Sequence, residues 1–151
     1  MQIFRVAHTK YAADTEGLGS KLFGGRWNHR GTSCLYTSSS RALAILEYSV
    51  NTPVDLIPRA LSIVTYDIEE NCIKTIAISS LPGDWKTAPA PVSAKDFGTN
   101  LLAAQDAIIK IPSCIIPQEY NFILPPALFV SGKIMLADIS DCIYDLRIKQ
   151  R

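Results

Sequence analysis

The sequence predicts an α+β fold within a single domain, residues 1–151, on three observations. Several short segments rich in β-branched residues read as strands. Two longer segments carry helical periodicity behind capping residues, and no internal repeat or low-complexity tract organises them. A chain of 151 residues can bury roughly two-thirds of its unfolded surface, and its 48% apolar and 19% charged residues are those of a packed globular protein, not a disordered one.

Residues 3–6 read as an opening strand. A polar loop follows through Gly17 and Gly19 to Gly24-Gly25, long for so small a domain, and long ordered loops usually carry function. Residues 33–37 form a second strand, after which Thr37-Ser38-Ser39-Ser40 supplies N-cap candidates for a helix over residues 41–50. Pro53 and Pro58 mark residues 51–59 as a loop, residues 60–68 alternate as a strand, and residues 73–78 suggest another. Leu81-Pro82-Gly83-Asp84-Trp85 is a turn, Pro89-Ala90-Pro91 is extended, and Ser93 is expected to cap a helix through about Gln105. Residues 108–111 and 115–116 read as buried strands broken at Pro112 and Pro117, with residues 133–137 and 142–146 as closing strands.

Fifteen basic against fourteen acidic residues leave a formal charge of +1, so no overall field draws the chain to nucleic acid or an anionic membrane. The basic tail Arg147-Ile148-Lys149-Gln150-Arg151 reads as a solvated, frayed terminus. Cys34, Cys72, Cys114 and Cys142 lie far apart without a CxxC pair, and His8 and His29 lack zinc spacing, so no metal site is expected. The N-terminal stretch MQIFRVAHTKY carries charges where a signal peptide needs an apolar run, and no apolar stretch approaches the ~20 residues of a membrane span. The expectation is a cytoplasmic chain without membrane contact, its reduced thiols packed as small core residues.

Leu43, Leu46, Glu47 and Val50 fall at i, i+3, i+4 and i+7, which sets a carboxylate within an apolar stripe. Burial of that charge is costly without a partner or a solvated cleft, so the helix would border a pocket there. Alternatively, Ala42, Ile45 and Ser49 form the buried face and Glu47 sits on its shoulder against a surface arginine. Gly24-Gly25-Arg26-Trp27-Asn28 allows close backbone approach and presents a planar guanidinium suited to phosphate or carboxylate, though a plain glycine turn with a solvated Arg26 has the same sequence. Tyr36, at a strand end, is either core or a ring for a flat base with a hydroxyl for a ribose. Between Pro112 and Asn121 two prolines stiffen a loop in which Ser113 and Asn121 can cap or coordinate.

The strings GGRWN, LYTSSS, ALAILEY and IPSCIIPQEYN stand in the order and spacing of the RES domain, named for its Arg, Glu and Ser. The chain resembles that family, the toxin half of RES-Xre toxin-antitoxin pairs, from Phe4-Arg5-Val6-Ala7 through Leu81-Pro82-Gly83-Asp84-Trp85 to the region of Asn121. The resemblance implies an ADP-ribosyltransferase-like fold, mixed strands forming a split β core with a few flanking helices, and consumption of NAD as substrate without a metal. It carries the family's arginine, tyrosine and glutamate onto Arg26, Tyr36 and Glu47 as catalytic residues. Its serine and later asparagine fall on Ser113 and Asn121, Arg5 matches a ligand-facing arginine of the first strand, and Asn28 joins these in the implied NAD-binding set. Two positions depart from the pattern: Leu124-Pro125-Pro126 replaces a frequent Leu-Asn-Pro, leaving no second asparagine, and Leu101 replaces a common tryptophan in what reads as a packing change.

The implied chemistry is cleavage of the nicotinamide-ribose bond through an oxocarbenium-like sugar. Arg5 and Arg26 would hold phosphate, Tyr36 would pack on the nicotinamide or its ribose, and Ser113 and Asn121 would fix the nicotinamide amide or ribose. Glu47 would orient ribose hydroxyls and stabilise the developing positive charge. Water, inorganic phosphate or a protein side chain each serve as acceptor with these residues, giving a glycohydrolase, a phosphorylase or an ADP-ribosyltransferase. A catalytically inactive module holding a nucleotide or its antitoxin is the reading from another class. The resemblance further implies an Xre-like helix-turn-helix antitoxin that blocks the cleft and carries any DNA contact, and a toxin homodimer within the complex.

Overall fold

The computed structural model describes residues 1–150 and builds them on seven strands: β1 (Gln2–His8), β2 (Leu35–Ser38), β3 (Leu61–Ile68), β4 (Ile73–Thr75), β5 (Ile108–Pro112), β6 (Tyr120–Leu124) and β7 (Ile134–Cys142). The helices are α1 (Leu18–Phe23), α2 (Arg41–Asn51), α3 (Val92–Leu102) and α4 (Ala127–Val130). The strands join in the order β4-β5-β6-β2-β1-β3-β7, antiparallel except for the β4–β5 pair. The sheet is nearly cut in two at its middle. β1 pairs with β3 along its whole length, yet meets β2 only where Phe4 lies opposite Ser38. Beyond that pair the strands part, and α2 packs against both.

Side chains alternate between the two faces of the sheet. Ile3, Tyr66, Ile108, Phe122 and Leu124 belong to one apolar cluster, and Trp27, Trp85, Ile109, Ile111 and Ile123 to the other. Neighbours in sequence, Ile108 and Ile109 or Phe122 and Ile123, therefore serve opposite cores. Strands covered on both faces read as continuous apolar runs, which is the pattern of β5.

Gly98 is the tightest point of the second cluster. A Cβ there would lie 2.0 Å from the Trp27 carbonyl oxygen and 2.6 Å from its Cβ, so α3 touches the Trp27 backbone directly. Alanine would add about 1 kcal/mol of helix propensity, but overpacking against backbone costs typically 1–3 kcal/mol and occasionally more. Packing wins, and Gly98→Ala is expected to lower the urea midpoint clearly; an unchanged midpoint would mean the loop bearing Trp27 yields freely.

The structure corrects several sequence expectations. Residues 115–116 are not a strand: Ser113 Oγ accepts the amide protons of Ile115 and Ile116 at 3.1 and 3.2 Å, so those donors are unavailable to a ladder. The strand that follows is β6, whose first two residues, Tyr120 and Asn121, fall in the block expected to be a loop. The two closing strands are one, β7, because β3 offers it partners from Ile68 to Leu61; Leu61 meets Cys142 and the pairing ends there. α3 begins behind Pro91 instead of being capped by Ser93, whose hydroxyl donates to Asp84 at 2.5 Å, and it ends before Gln105, which has φ 54°. α1 lies inside the long first loop, where six residues between glycines gave no periodic signal. The tail is anchored through Lys149, whose ammonium donates to the Ser49 and Thr52 carbonyls at the C-terminal end of α2; Arg151 lies outside the described residues.

Candidate active site

A cleft of about 550 Å3 opens where β1 and β2 part, lined among others by Arg5, Arg26, Tyr36, Ser38, Glu47 and Asn121. Glu47 reaches it from α2, which Ser40 caps by accepting the Leu43 amide proton at 3.1 Å. Leu43, Ala44 and Ser49 form the buried side of this helix, while Val50 is 59% exposed and Ala42 is exposed. The expected stripe is thus real only in its first half, and Glu47, partly buried, faces the cleft. No arginine pairs with it: the salt bridges among the described residues are His29–Asp96 and Arg147–Asp145.

What holds Glu47 is a set of neutral donors on one oxygen. Ser113 Oγ donates to Oε1 at 2.7 Å and Asn121 Nδ2 donates to the same atom at 2.5 Å. Ser113 is fully buried and its oxygen in turn accepts the Ile115 and Ile116 amides, so its hydroxyl has one direction left. Asn121 Oδ1 accepts from Ser38 Oγ at 2.7 Å. Ser113 and Asn121, expected as ligand contacts, therefore brace the carboxylate, and with Oε1 occupied twice, Oε2 is the oxygen without a donor among the described residues.

The arginine loop is equally determined. Gly25 passes so close to β2 that a Cβ would lie 2.8 Å from Tyr36 Oη and 2.9 Å from Asn28 Oδ1. Trp27 stacks on Trp85 at 6.4 Å between ring centroids and meets Phe97 edge-on, which pins the loop to the second core. Arg26 donates from Nη1 to the Trp85 and Thr87 carbonyls at 2.9 and 2.8 Å, leaving the rest of its fork for the cleft. Among the described residues Arg5 also has no carboxylate partner; its buried Nη1 makes no hydrogen bond of good geometry, and neither does the buried Tyr66 hydroxyl, which lies close enough to feel the Arg5 charge. Two such cations in one cleft favour an anionic ligand.

Asn28 is fully buried and does not border the cleft. Its Nδ2 shares its two protons among the Ser20, His29 and Thr32 carbonyls at 2.9, 3.1 and 3.0 Å, and its Oδ1 accepts from Tyr36 Oη at 2.6 Å. The expected ligand contact is instead the hub of the arginine loop. Tyr36 Oη also accepts the Trp27 amide proton at 3.1 Å, so the hydroxyl is spent on the loop and its ring is what the cleft receives. Burial, with the neighbouring Cys34 second, holds that phenol well above its ordinary value of 10.0. Burial likewise pushes the Cys34 thiol up to about 11 and raises the Cys114 thiol, so neither is a ready nucleophile.

Sequence reasoning missed Ser38, read only as a capping candidate. Its signal was its place two residues after Tyr36 on one strand, hence on the same face. Asp14, Tyr48 and Cys114 also line the cleft, brought there by contacts too long-range for local spacing to show.

A parted sheet, a braced carboxylate and two arginines without carboxylate partners among the described residues stand together in an α+β, ADP-ribosyltransferase-like fold. The chain belongs to the RES domain family, which it matches over residues 2–142. It is 32% identical to a protein named Toxin Res from Yersinia enterocolitica over 128 residues, 83% of this chain and 84% of the relative. It is also 32% identical to one named Prs ADP-ribosylating toxin from a Sphingobium species over 146 residues, 94% and 91% of the two chains. In fold it resembles a chain of the M. tuberculosis MbcT-MbcA toxin-antitoxin complex, with a TM-score of 0.76 at 15% identity over 93% of this chain and 83% of that one.

Proposed function

We propose that this chain is the toxin of a toxin-antitoxin pair and that it degrades NAD in the cytoplasm by breaking the nicotinamide-ribose bond. The observation that carries the reading is Glu47 Oε1 held by two donors, with Oε2 left for ligand, in the same cleft as Arg5 and Arg26. The arginines bind the pyrophosphate and the Tyr36 ring packs on a flat group of the substrate. As the C1′–N bond breaks, its electron pair leaves with nicotinamide and positive charge grows on the ribose; the fixed carboxylate stabilises that charge. An acceptor oxygen then bonds to C1′, and the proton it carried passes to solvent.

A second reading, transfer of ADP-ribose to a protein, draws on the relative named Prs ADP-ribosylating toxin, whose match spans 94% of this chain. Both readings include an Xre-like antitoxin as partner, with any DNA contact on that partner, and a toxin homodimer in the complex. The test is incubation of the purified chain with NAD, with and without phosphate. Free ADP-ribose supports hydrolysis, an ADP-ribose phosphate ester supports phosphorolysis, and ADP-ribose found only on added protein supports transfer. Intact NAD in every arm would sink the enzymatic reading.

A further inference from the structure

We infer that Ser38 is a positioning residue for Glu47, acting through the Asn121 side chain. The inference rests in part on the NAD reading of the cleft. Ser38 is 3% exposed, ends β2, and lies at the one register position where the two halves of the sheet meet, opposite Phe4 on β1 and Asn121 on β6. Its hydroxyl donates to Asn121 Oδ1 at 2.7 Å, and Asn121 Nδ2 donates to Glu47 Oε1 at 2.5 Å.

The direction of this chain follows from chemistry. A carboxylate oxygen accepts, so the amide atom facing Glu47 must be the nitrogen; the carbonyl of Asn121 then faces β2, where it needs a donor. Ser38 supplies it. Without that hydroxyl, the partly buried Oδ1 loses its donor on β2, and the amide loses the contact that keeps its nitrogen turned toward Glu47. Turning would either remove the Nδ2 donor from Oε1 or set two acceptors against each other. Ser113 would remain as the other restraint, and one donor permits the carboxylate to swing about that bond.

Two measurements on the full-length chain test this. In amide-resolved NMR, the Asn121 side-chain NH2 pair, identified by its loss in Asn121→Ala, is expected to exchange slowly with solvent in the native chain and rapidly in Ser38→Ala. In steady-state kinetics, Ser38→Ala is expected to lower kcat about 10- to 100-fold, the scale on which small misplacements of a reacting group act, with KM for NAD within about twofold. Ser38→Thr, which keeps the donor on a strand, recovers most of the rate. In an Asn121→Ala background, Ser38→Ala costs nothing further, as expected of two residues acting through one contact. An unchanged NH2 exchange rate in Ser38→Ala overturns the inference, even in a chain that proves inert toward NAD. A lowered melting temperature with native kcat, or additive losses in the double variant, overturns it in an active one.

Discussion

Replacing Glu47 with glutamine is expected to slow nicotinamide release by about 10²- to 10³-fold, the loss typical when one preorganised electrostatic group is removed from a transition state, while the fold is retained. The geometry makes glutamine the informative choice. Ser113 and Asn121 both donate to Oε1, and a glutamine carbonyl accepts those two bonds unchanged while its NH2 takes the place of Oε2. Packing and hydrogen bonding stay; the negative charge goes. Alanine would instead strand the Ser113 hydroxyl and the Asn121 amide, each at about 1–3 kcal/mol, and lost activity would be confused with lost structure. Nicotinamide release measured beside a thermal melt checks the expectation. A native rate for Glu47→Gln would remove the carboxylate from the chemistry and leave the cleft as a nucleotide-binding pocket.

The elements nearest the cleft were the most legible in the sequence, because short-range patterns determine them. The strand that carries Tyr36, the serine that caps α2 and the anomaly of a glutamate between Leu43 and Val50 all follow from spacing within a few residues. The residues that brace the glutamate did not have readable roles. Ser113 and Asn121 stand 66 and 74 positions from Glu47 in the chain, and whether each faces ligand or carboxylate depends on β6 lying beside β2. That pairing was hidden because Pro112 and Pro117 make the block up to Asn121 read as loop, and residues 122–124 alone are too short for a strand pattern. The parting of β1 from β2 was equally invisible, since it is a pairing that fails to form beyond Phe4 and Ser38. Asn28 shows the complementary error: an asparagine beside a ligand-suited arginine reads as a ligand contact, and only the closure of the loop on Ser20, Thr32 and Tyr36 shows it to be structural.

Asn28→Ala is accordingly expected to lower stability by about 3 kcal/mol, on the scale of a buried polar hub whose former partners lose their mates, and the melting temperature by about 10 °C in a domain of this size. Three carbonyls that share its two amide protons lose their donor, and the Tyr36 hydroxyl loses its acceptor, around a side chain that is itself fully buried. Gly25 and Trp27 are held against that same hydroxyl, so the backbone that aims Arg26 loosens as well. Well below the melt, the variant should bind ADP-ribose weakly and show a raised KM for NAD. Asn28→Asp should be worse still, because a carboxylate in that place would confront three carbonyl oxygens with no proton to offer. A direct ligand contact would behave differently, raising KM while leaving the melting temperature alone. Thermal melts and ADP-ribose titrations on the same samples separate the two: a native melting temperature with weakened binding would return Asn28 to the ligand, and a joint loss places it beneath Arg26 as the support that orients the cation.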